Sequence, residues 1–536
     1  MTRSGDERWR MRREVHYDGR VMRCFAERAA NIDQMFRATV ARHPEREALV
    51  LGHSRIGYAE LDGLVERVAG NLAAAGVAKG ERVAVLLGNR LEFVHLVLAC
   101  ARLGAIVVPL NVRQKRPEIA FVLNDCGARL LVHEAELGPE LPEAAQLPAL
   151  ERRFACGGES AGARPYDELL SPARAPAREI AEHECAAILY TSGTTGQPKG
   201  AMLTHLGLVH SALHFELAMG LDARDRTILA VPASHVTGLV AVILAMVGVG
   251  GCTIVMPAFK ARDFLALAAR ERLSQSVMVP AMYNLCLLEP DFEDYDLGAW
   301  RIGGYGGAPM PTATIEALAA RLPRLVLMNA YGATETTSPA TIMPAGATAG
   351  HEDSVGRAVA CGEIAIMDEE GREVAPGEPG EVWIAGPMVV PGYWRDAAAS
   401  AASFSGGYWR SGDIGSLDDD GFLRVLDRKK DMINRGGYKV YSAEVENLLS
   451  HHPAVIECAV VASPDPVLGE RVHAFVVPAG SERSAEQLAA FCGHSLSDYK
   501  VPEFFTFLDQ PLPRNANGKV IKKGLRERAQ RMAASG

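Results

Sequence analysis

Residues 190–205 read Tyr190-Thr-Ser-Gly-Thr-Thr-Gly-Gln-Pro-Lys-Gly-Ala-Met-Leu-Thr-His205. Three Gly and four Thr/Ser fall within Thr191–Gly200, between the apolar run Cys185–Leu189 and the short apolar segment Ala201–Leu203. Glycine lets a backbone fold back and bring its N–H groups close to a ligand, and hydroxyls add short-range donors. A loop of this composition grips phosphate oxygens without a fixed cation. The Walker A pattern cannot be laid over Gly193–Gly200, because Pro198 stands where its second glycine belongs. A solvated Gly/Thr linker is the plain alternative. The density of glycine and hydroxyl, closed by Pro-Lys-Gly, argues against it.

Outward from that loop, 536 residues exceed what one core holds, so two or more domains are expected. Hydrophobic residues at 48% and charged residues at 23% suit a globular enzyme. A net charge of −9 disfavours general nucleic-acid affinity, so a polyanionic ligand has to be met by local positive charge. The ten cysteines are scattered, without a Cys-x-x-Cys pair, and suit buried thiols in a reducing cytoplasm. Residues 1–28 interleave arginine with acids and lack a signal-peptide core. They read as a partly disordered extension, with a membrane-touching basic arm as the alternative. Val236–Met256 is long and uncharged, but Gly248, Gly250 and Gly251 make it a buried helix, turn and strand rather than a membrane span.

From about Ala30 to Met343, helical spacing (Glu60–Ala75, Glu92–Leu103) alternates with short apolar strands (Arg82–Leu87, Ala105–Leu110). That alternation predicts layered α/β folding around mostly parallel sheets. Thr204 and Gly220 bracket a helix over His205–Met219. After about Gly350, strands at Glu363–Met367, Glu381–Ala385 and Phe422–Leu426 are separated by Gly-rich or acidic turns, as in a small barrel. The charged cluster Asp427-Arg-Lys-Lys-Asp431 lies where this texture changes to a last segment mixing helices and strands. A charge run is usually a solvated face; here its position marks a hinge.

The phosphate loop resembles the signature of the adenylate-forming superfamily, which holds acyl- and aryl-CoA synthetases, adenylation domains of peptide synthetases and beetle luciferases. The resemblance extends through Asn329-Ala-Tyr-Gly-Ala-Thr-Glu335, Tyr408-Trp-Arg-Ser-Gly-Asp-Ile-Gly415, Gly436-Gly-Tyr-Lys-Val-Tyr441 and Pro513-Arg-Asn-Ala-Asn-Gly-Lys519. It is strongest to acyl-CoA synthetases of the fatty-acid–CoA ligase type. It implies an α/β large domain over 29–427, with the β-rich subdomain at about 350–427. A hinge at 428–431 and a small mobile α+β C-terminal lid over 432–536 would follow.

The chemistry implied is ordered. A carboxylate is a poor electrophile with a poor leaving group, so coupling it to a thiol needs an anhydride with AMP first. By resemblance, Thr191, Ser192, Gly193, Thr194 and Thr195 hold the β- and γ-phosphates, and Lys199, on physical grounds, steers the anion. Adenine stacks on Tyr331, with Asn329, Ala330, Gly332, Gly307 and Ala308 around it. Thr334 meets the α-phosphate, and Glu335 ligates Mg²⁺, which is normally held by one carboxylate plus substrate phosphates. Asp413 accepts the ribose hydroxyls, and Arg428 also reaches the ribose. Lys519 is the mobile catalytic cation that neutralises charge developing at the α-phosphorus. Lys430 is the hinge residue, and its rotation brings Gly436, Gly437 and Tyr438 to the CoA path. The acyl pocket is assigned to His235, Val236, Thr237, Gly303, Gly304, Tyr305 and Gly306, with His235 also grouped with the catalytic residues.

Tyr305 departs from the family, where smaller hydroxyl residues usually stand, so a ring there caps or redirects the pocket. Met278, Met282, Met310 and Met328 either wall it or are plain core. The expected ligands are ATP, Mg²⁺, CoA and a carboxylic acid, read as a medium- or long-chain fatty acid. An aryl or cyclic acid, a carrier protein as acceptor, and a non-catalytic nucleotide-binding protein are the alternatives. A homodimer is an expected assembly, and a lysine acetyltransferase/deacetylase pair acting on Lys519 is an expected partner, since acetylation removes its charge. His210 and His214, four apart on one helix, have no third zinc ligand nearby, and Gly303–Gly307 lacks the dinucleotide fingerprint.

Overall fold

Strands buried on both faces read as nearly continuous apolar runs, and Val83–Leu86 and Ile106–Val108 are runs of this kind. The computed structural model describes residues 7–17, 19–192, 197–480, 483–514 and 520–535, and places those runs side by side in a seven-stranded sheet. Its order is Pro198–Thr204, Cys185–Ser192, Ile106–Pro109, Arg82–Leu86, Leu130–Glu134, Arg152–Cys156 and Arg164–Pro165. All neighbours are parallel except the first pair, an antiparallel hairpin at the edge. The helix Arg116–Cys126 buries Ile119, Val122 and Leu123 against Ala84, Leu86, Val108 and Ile188.

A nine-stranded sheet follows the same logic. Its centre, Val326–Tyr331, Ile302–Tyr305, Gln275–Met278, Arg226–Leu229, Cys252–Val255 and Glu47–Leu51, is parallel, and antiparallel strands close both edges. Helices predicted at Glu60–Ala75 and Glu92–Leu103 appear as Tyr58–Ala74 and Leu91–Leu103. Thr204 caps the helix His205–Met219 by accepting from Gly207 N at 3.1 Å, and Gly220 ends it in the left-handed region.

The chain divides into two compact units, Met1–Ile364 with Ile384–Arg410, and Ala365–Trp383 with Ser411–Gly536. The strand-rich stretch expected at about 350–427 is therefore shared between them. The second unit is built on Gly469–Pro478, antiparallel to Val455–Asp465 and parallel to Phe504–Phe507. Alternation along its strands sends Val460, Val472 and Val476 to one core with Val445 and Leu449. Ala459, Val461 and Phe475 go to another with Leu525 and Ala529 of the C-terminal helix.

One expectation is corrected and one is refined. The N-terminal extension is not disordered over Met11–His16 and Arg20–Phe25, which pair as antiparallel strands. Met22, Cys24 and Phe25 are buried, and Arg28 pairs with Glu14 and Glu182. Arginines dominate the composition of this segment, yet they line its rim while alternate residues enter the core. Within Val236–Met256 the helix starts as a π-helix, Thr237–Leu244, before Ala245–Val249 and the strand Cys252–Val255. Among the described residues no helix is long and apolar enough to cross a membrane.

Candidate active site

The phosphate-loop candidate joins the two strands of the edge hairpin. Thr191 faces Lys199, Ser192 faces Pro198, and Thr191 Oγ1 donates to Lys199 O at 3.5 Å. Gly193, Thr194 and Thr195 lie outside the described residues. The loop's base is anchored: the Tyr190 phenol donates to the Asp125 carboxylate. Gly200 is required beside it, because a Cβ there would sit 2.8 Å from Ile188 Cγ2 and 3.1 Å from the Tyr190 ring.

The hairpin is extended by a third segment that sequence reasoning missed, Gly392–Trp394. Met202 N donates to Gly392 O (3.2 Å), Trp394 N donates to Gly200 O (2.7 Å), and Ala201 bridges Tyr393. The Lys199 ammonium lies over the Tyr393 ring, 5.1 Å from its centroid. The Tyr393 phenol donates to Glu335 Oε1 at 2.9 Å. Val390 N donates to the Glu335 backbone carbonyl, also at 2.9 Å. Lys199 and Glu335, 136 positions apart by their residue numbers (335 − 199), thus meet through one ring. The only signal in the sequence was a Tyr-Trp pair after Pro391-Gly392.

Glu335 is the middle residue of the short turn Thr334–Thr336 after the strand Val326–Tyr331 and is only 9% exposed. Its neighbours on the motif lie at the end of that strand and in the turn after it. Tyr331 and Ala330 are half-buried at the strand's end, Gly332 is exposed, and Thr334 is half-buried. Asn329 is buried, and its amide donates to Ser354 O at 3.4 Å. On the adjacent strand a Cβ at Gly306 would lie 2.2 Å from Ala330 O, so the two backbones touch there. Gly307 follows with φ +78°, and Ala308 is exposed.

On the acyl side, Gly303, Gly304 and Tyr305 run along the strand Ile302–Tyr305, with Tyr305 between Met278 and Asn329 in register and 1% exposed. Burial pushes its phenol up to about 12. Gly304 has no room for a side chain: a Cβ would meet Ser276 O at 2.9 Å. His235 sits in the tight turn before the π-helix, with Val236 buried and Thr237 opening that helix. His235 Nδ1 accepts from Thr237 N at 3.2 Å, which leaves the ring proton on Nε2. Burial lowers its pKa to about 4, so the ring is neutral at physiological pH. Met278, Met282, Met310 and Met328 are all buried.

In the second unit the register itself makes an ion pair. Asp413 stands opposite Arg428 in the pairing of Tyr408–Leu417 with Leu423–Arg428, and Arg428 Nε is 2.6 Å from Asp413 Oδ1. Asp413 is 4% exposed. The hinge candidate Lys430 follows in a turn where Met432 N donates to Arg428 O, and its carbonyl accepts from Arg526 of the C-terminal helix at 3.1 Å. Gly436 (φ +59°) and Gly437 (φ +93°) form the two-residue hairpin turn between Ile433–Arg435 and Tyr438–Val440. Positive φ at both positions already accounts for the glycine pair. Tyr438, 60% exposed, stacks on Tyr499 at 4.7 Å. Lys519 lies outside the described residues. The His210 ring is fully engaged, its Nδ1–H donating to Leu206 O and its Nε2 accepting from Phe25 N, so it has no lone pair for zinc.

A buried carboxylate held by a phenol, and a sequence rich in hydroxyls and glycine between two paired strands, are hard-oxygen chemistry, suited to Mg²⁺ and phosphate rather than to a soft metal. The buried acid–arginine pair suits a polyol. That chemistry and this fold belong to one group of proteins. Residues 36–394 match the AMP-binding enzyme family, and residues 444–519 match the AMP-binding enzyme C-terminal domain. The chain belongs to the AMP-binding enzyme family.

It is 36% identical over 505 residues to the long-chain-fatty-acid–CoA ligase FadD13 of Mycobacterium tuberculosis, covering 93% of this chain and 98% of that one. The anthranilate CoA ligase AuaEII, solved with anthranoyl-AMP, superposes with a TM-score of 0.87 at 27% identity, over 94% of this chain and 98% of that one. The o-succinylbenzoate CoA synthetase MenE of Bacillus subtilis, solved with ATP and a magnesium ion, gives 0.81 at 32% identity, over 92% and 98%. The protein is an AMP-forming acid–thiol ligase that uses ATP, Mg²⁺ and CoA.

Proposed function

We propose that the enzyme activates a medium- or long-chain fatty acid in the cytoplasm. The carboxylate oxygen attacks the α-phosphorus of ATP, pyrophosphate leaves, and the thiol of CoA displaces AMP from the acyl-adenylate. The observation that carries the substrate class is the uncharged acyl side, where a neutral His235, a buried Tyr305 and glycine-lined backbone offer no cation to a second carboxylate. The similarity to the fatty-acid ligase supports it.

Within this reading, Thr191, Ser192, Gly193, Thr194, Thr195 and Lys199 hold pyrophosphate, Tyr331 and its neighbours hold adenine, and Asp413 with Arg428 holds ribose. Glu335 would hold Mg²⁺, which when bound neutralises phosphate charge. Lys519 supplies the ammonium for the first half-reaction. Rotation at Lys430 then withdraws it and presents Gly436–Tyr438 to CoA. Lys519→Ala is expected to abolish acid-dependent pyrophosphate exchange while sparing ATP binding; unchanged exchange would refute the role. Acetylated and deacetylated protein should differ in that half-reaction only, and light scattering on the purified protein tests the homodimer.

A second reading has its own observation. The Tyr305 ring fills the end of its strand, where smaller hydroxyl residues usually stand in the family, and favours a short, flat acid such as the aryl substrate named for AuaEII. A panel of acids from benzoate-like to long-chain, read as AMP release with free CoA present, separates the two. Acid-dependent pyrophosphate release that free CoA does not discharge would point instead to a carrier-protein acceptor.

A further inference from the structure

Tyr393 is held by backbone pairing on both sides of it in the chain and by side chains around it. Its own N–H donates to Ser400 Oγ at 2.9 Å, and that hydroxyl donates to Asp396 O at 2.7 Å. The residues before and after it pair with the phosphate hairpin at Met202 and Gly200. The side chain is 6% exposed; its phenol donates to Glu335 Oε1 (2.9 Å), with Ser403 and Trp409 as further hydrogen-bonding neighbours, and its ring face carries the Lys199 ammonium (5.1 Å to the centroid). The edge of Phe404, at 5.8 Å, supports the ring from another side.

A buried tyrosine needs an acceptor, and a backbone carbonyl serves most of them at little cost. Here the acceptor is a buried carboxylate, a group that is costly to dehydrate and that the sequence motif supplies for Mg²⁺. The same ring carries the last cation of the phosphate turn. A group that touches both, and is itself fixed to the hairpin's backbone, keeps the acid and the turn in one register.

We propose that Tyr393 is a positioning residue for Mg·ATP. Its phenol fixes the orientation of the Glu335 carboxylate, and its ring face fixes the Lys199 ammonium at the start of the strand Pro198–Thr204. The inference rests on the reading of Glu335 as the Mg²⁺ ligand. Partners that orient metal ligands typically set affinity by about 10–100-fold, which gives the size of effect to look for.

The test is calorimetric titration of α,β-methylene-ATP into the full-length protein over a series of Mg²⁺ concentrations. Tyr393→Phe keeps the ring and loses the phenol. It should raise the Mg²⁺ needed for half-maximal nucleotide binding by about tenfold, be rescued by excess Mg²⁺, and leave the melting temperature nearly unchanged. Tyr393→Ala should in addition weaken nucleotide binding at saturating Mg²⁺, because Lys199 loses its platform. If that variant does not fold, Tyr393→Phe alone decides. Glu335→Gln separates the two ideas. A raised Mg²⁺ requirement in Glu335→Gln with none in Tyr393→Phe overturns the role of Tyr393. An unchanged requirement in both overturns the metal assignment itself. A drop in melting temperature in Tyr393→Phe without a change in Mg²⁺ dependence would mean an ordinary core tyrosine.

Discussion

Gly306 shows how little space a functional strand leaves. A methyl group on it would sit 2.2 Å from Ala330 O, which the parallel pairing of the two strands cannot absorb without moving one of them. Gly306→Ala is expected to cost about 1–3 kcal/mol in urea unfolding and to raise KM for ATP more than KM for CoA, since Ala330 adjoins Tyr331. An unchanged KM for ATP would mean that the strand ends move independently. At this scale the sequence showed which residue types were present but not what they touch. Asp413 and Arg428 were both identifiable by motif, and their facing register became visible only once the strands were paired. Tyr393 was invisible, because its partners lie 58 and 194 positions away and no short pattern links them (393 − 335 and 393 − 199).

At the scale of elements, local rules did well where local physics decides. Helices formed where periodicity put them, within a residue or two at each end. Thr204 is the clearest case. Its hydroxyl caps His205–Met219 and also contacts the Tyr17 phenol from the N-terminal hairpin. Thr204→Ala should cost about 1–2 kcal/mol, read as a lowered urea midpoint with an unchanged slope. Thr204→Ser should recover most of it. The strand pair Met11–His16 and Arg20–Phe25 was missed because its arginines look like a solvated arm, and only alternate residues, Met22 and Cys24, carry the apolar signal. The π-helix Thr237–Leu244 was missed for another reason. Its sequence is uniformly apolar, so no periodicity distinguishes one helical pitch from another.

At the scale of the whole molecule, the two units carry opposite titration signatures. In the first unit, burial drives His95 and His205 to about 4, His210 to about 3 and His214 well below its ordinary value. A histidine whose folded pKa is depressed is protonated first in the unfolded chain. Its contribution is therefore complete above about pH 6.5 and is lost as pH falls toward 4. In the second unit, burial raises Asp427 and Glu446, so their contribution changes the other way, and His473, at about 4, is its one strongly depressed histidine among the described residues. Calorimetry from pH 7.5 to 4.5 should show the first unit's transition falling much faster than the second's. Parallel shifts would contradict the sign assigned to the buried rings. The two-sheet body was legible because parallel strands announce themselves as apolar runs. The division between units was not, since it follows contacts rather than chain order.

That division has a practical edge. Ala365–Trp383 belongs with residues from 411 onward, while the stretch between them returns to the larger unit. A chain ended at Asp427 to isolate the nucleotide-binding body would keep this segment, still joined through Gly380–Ala385 to its sheet partner Tyr408–Leu417, and so would carry part of the second unit with it. The lid, expressed alone from Arg428, would lack the same piece. Separating the two units along the chain takes three cuts, not one.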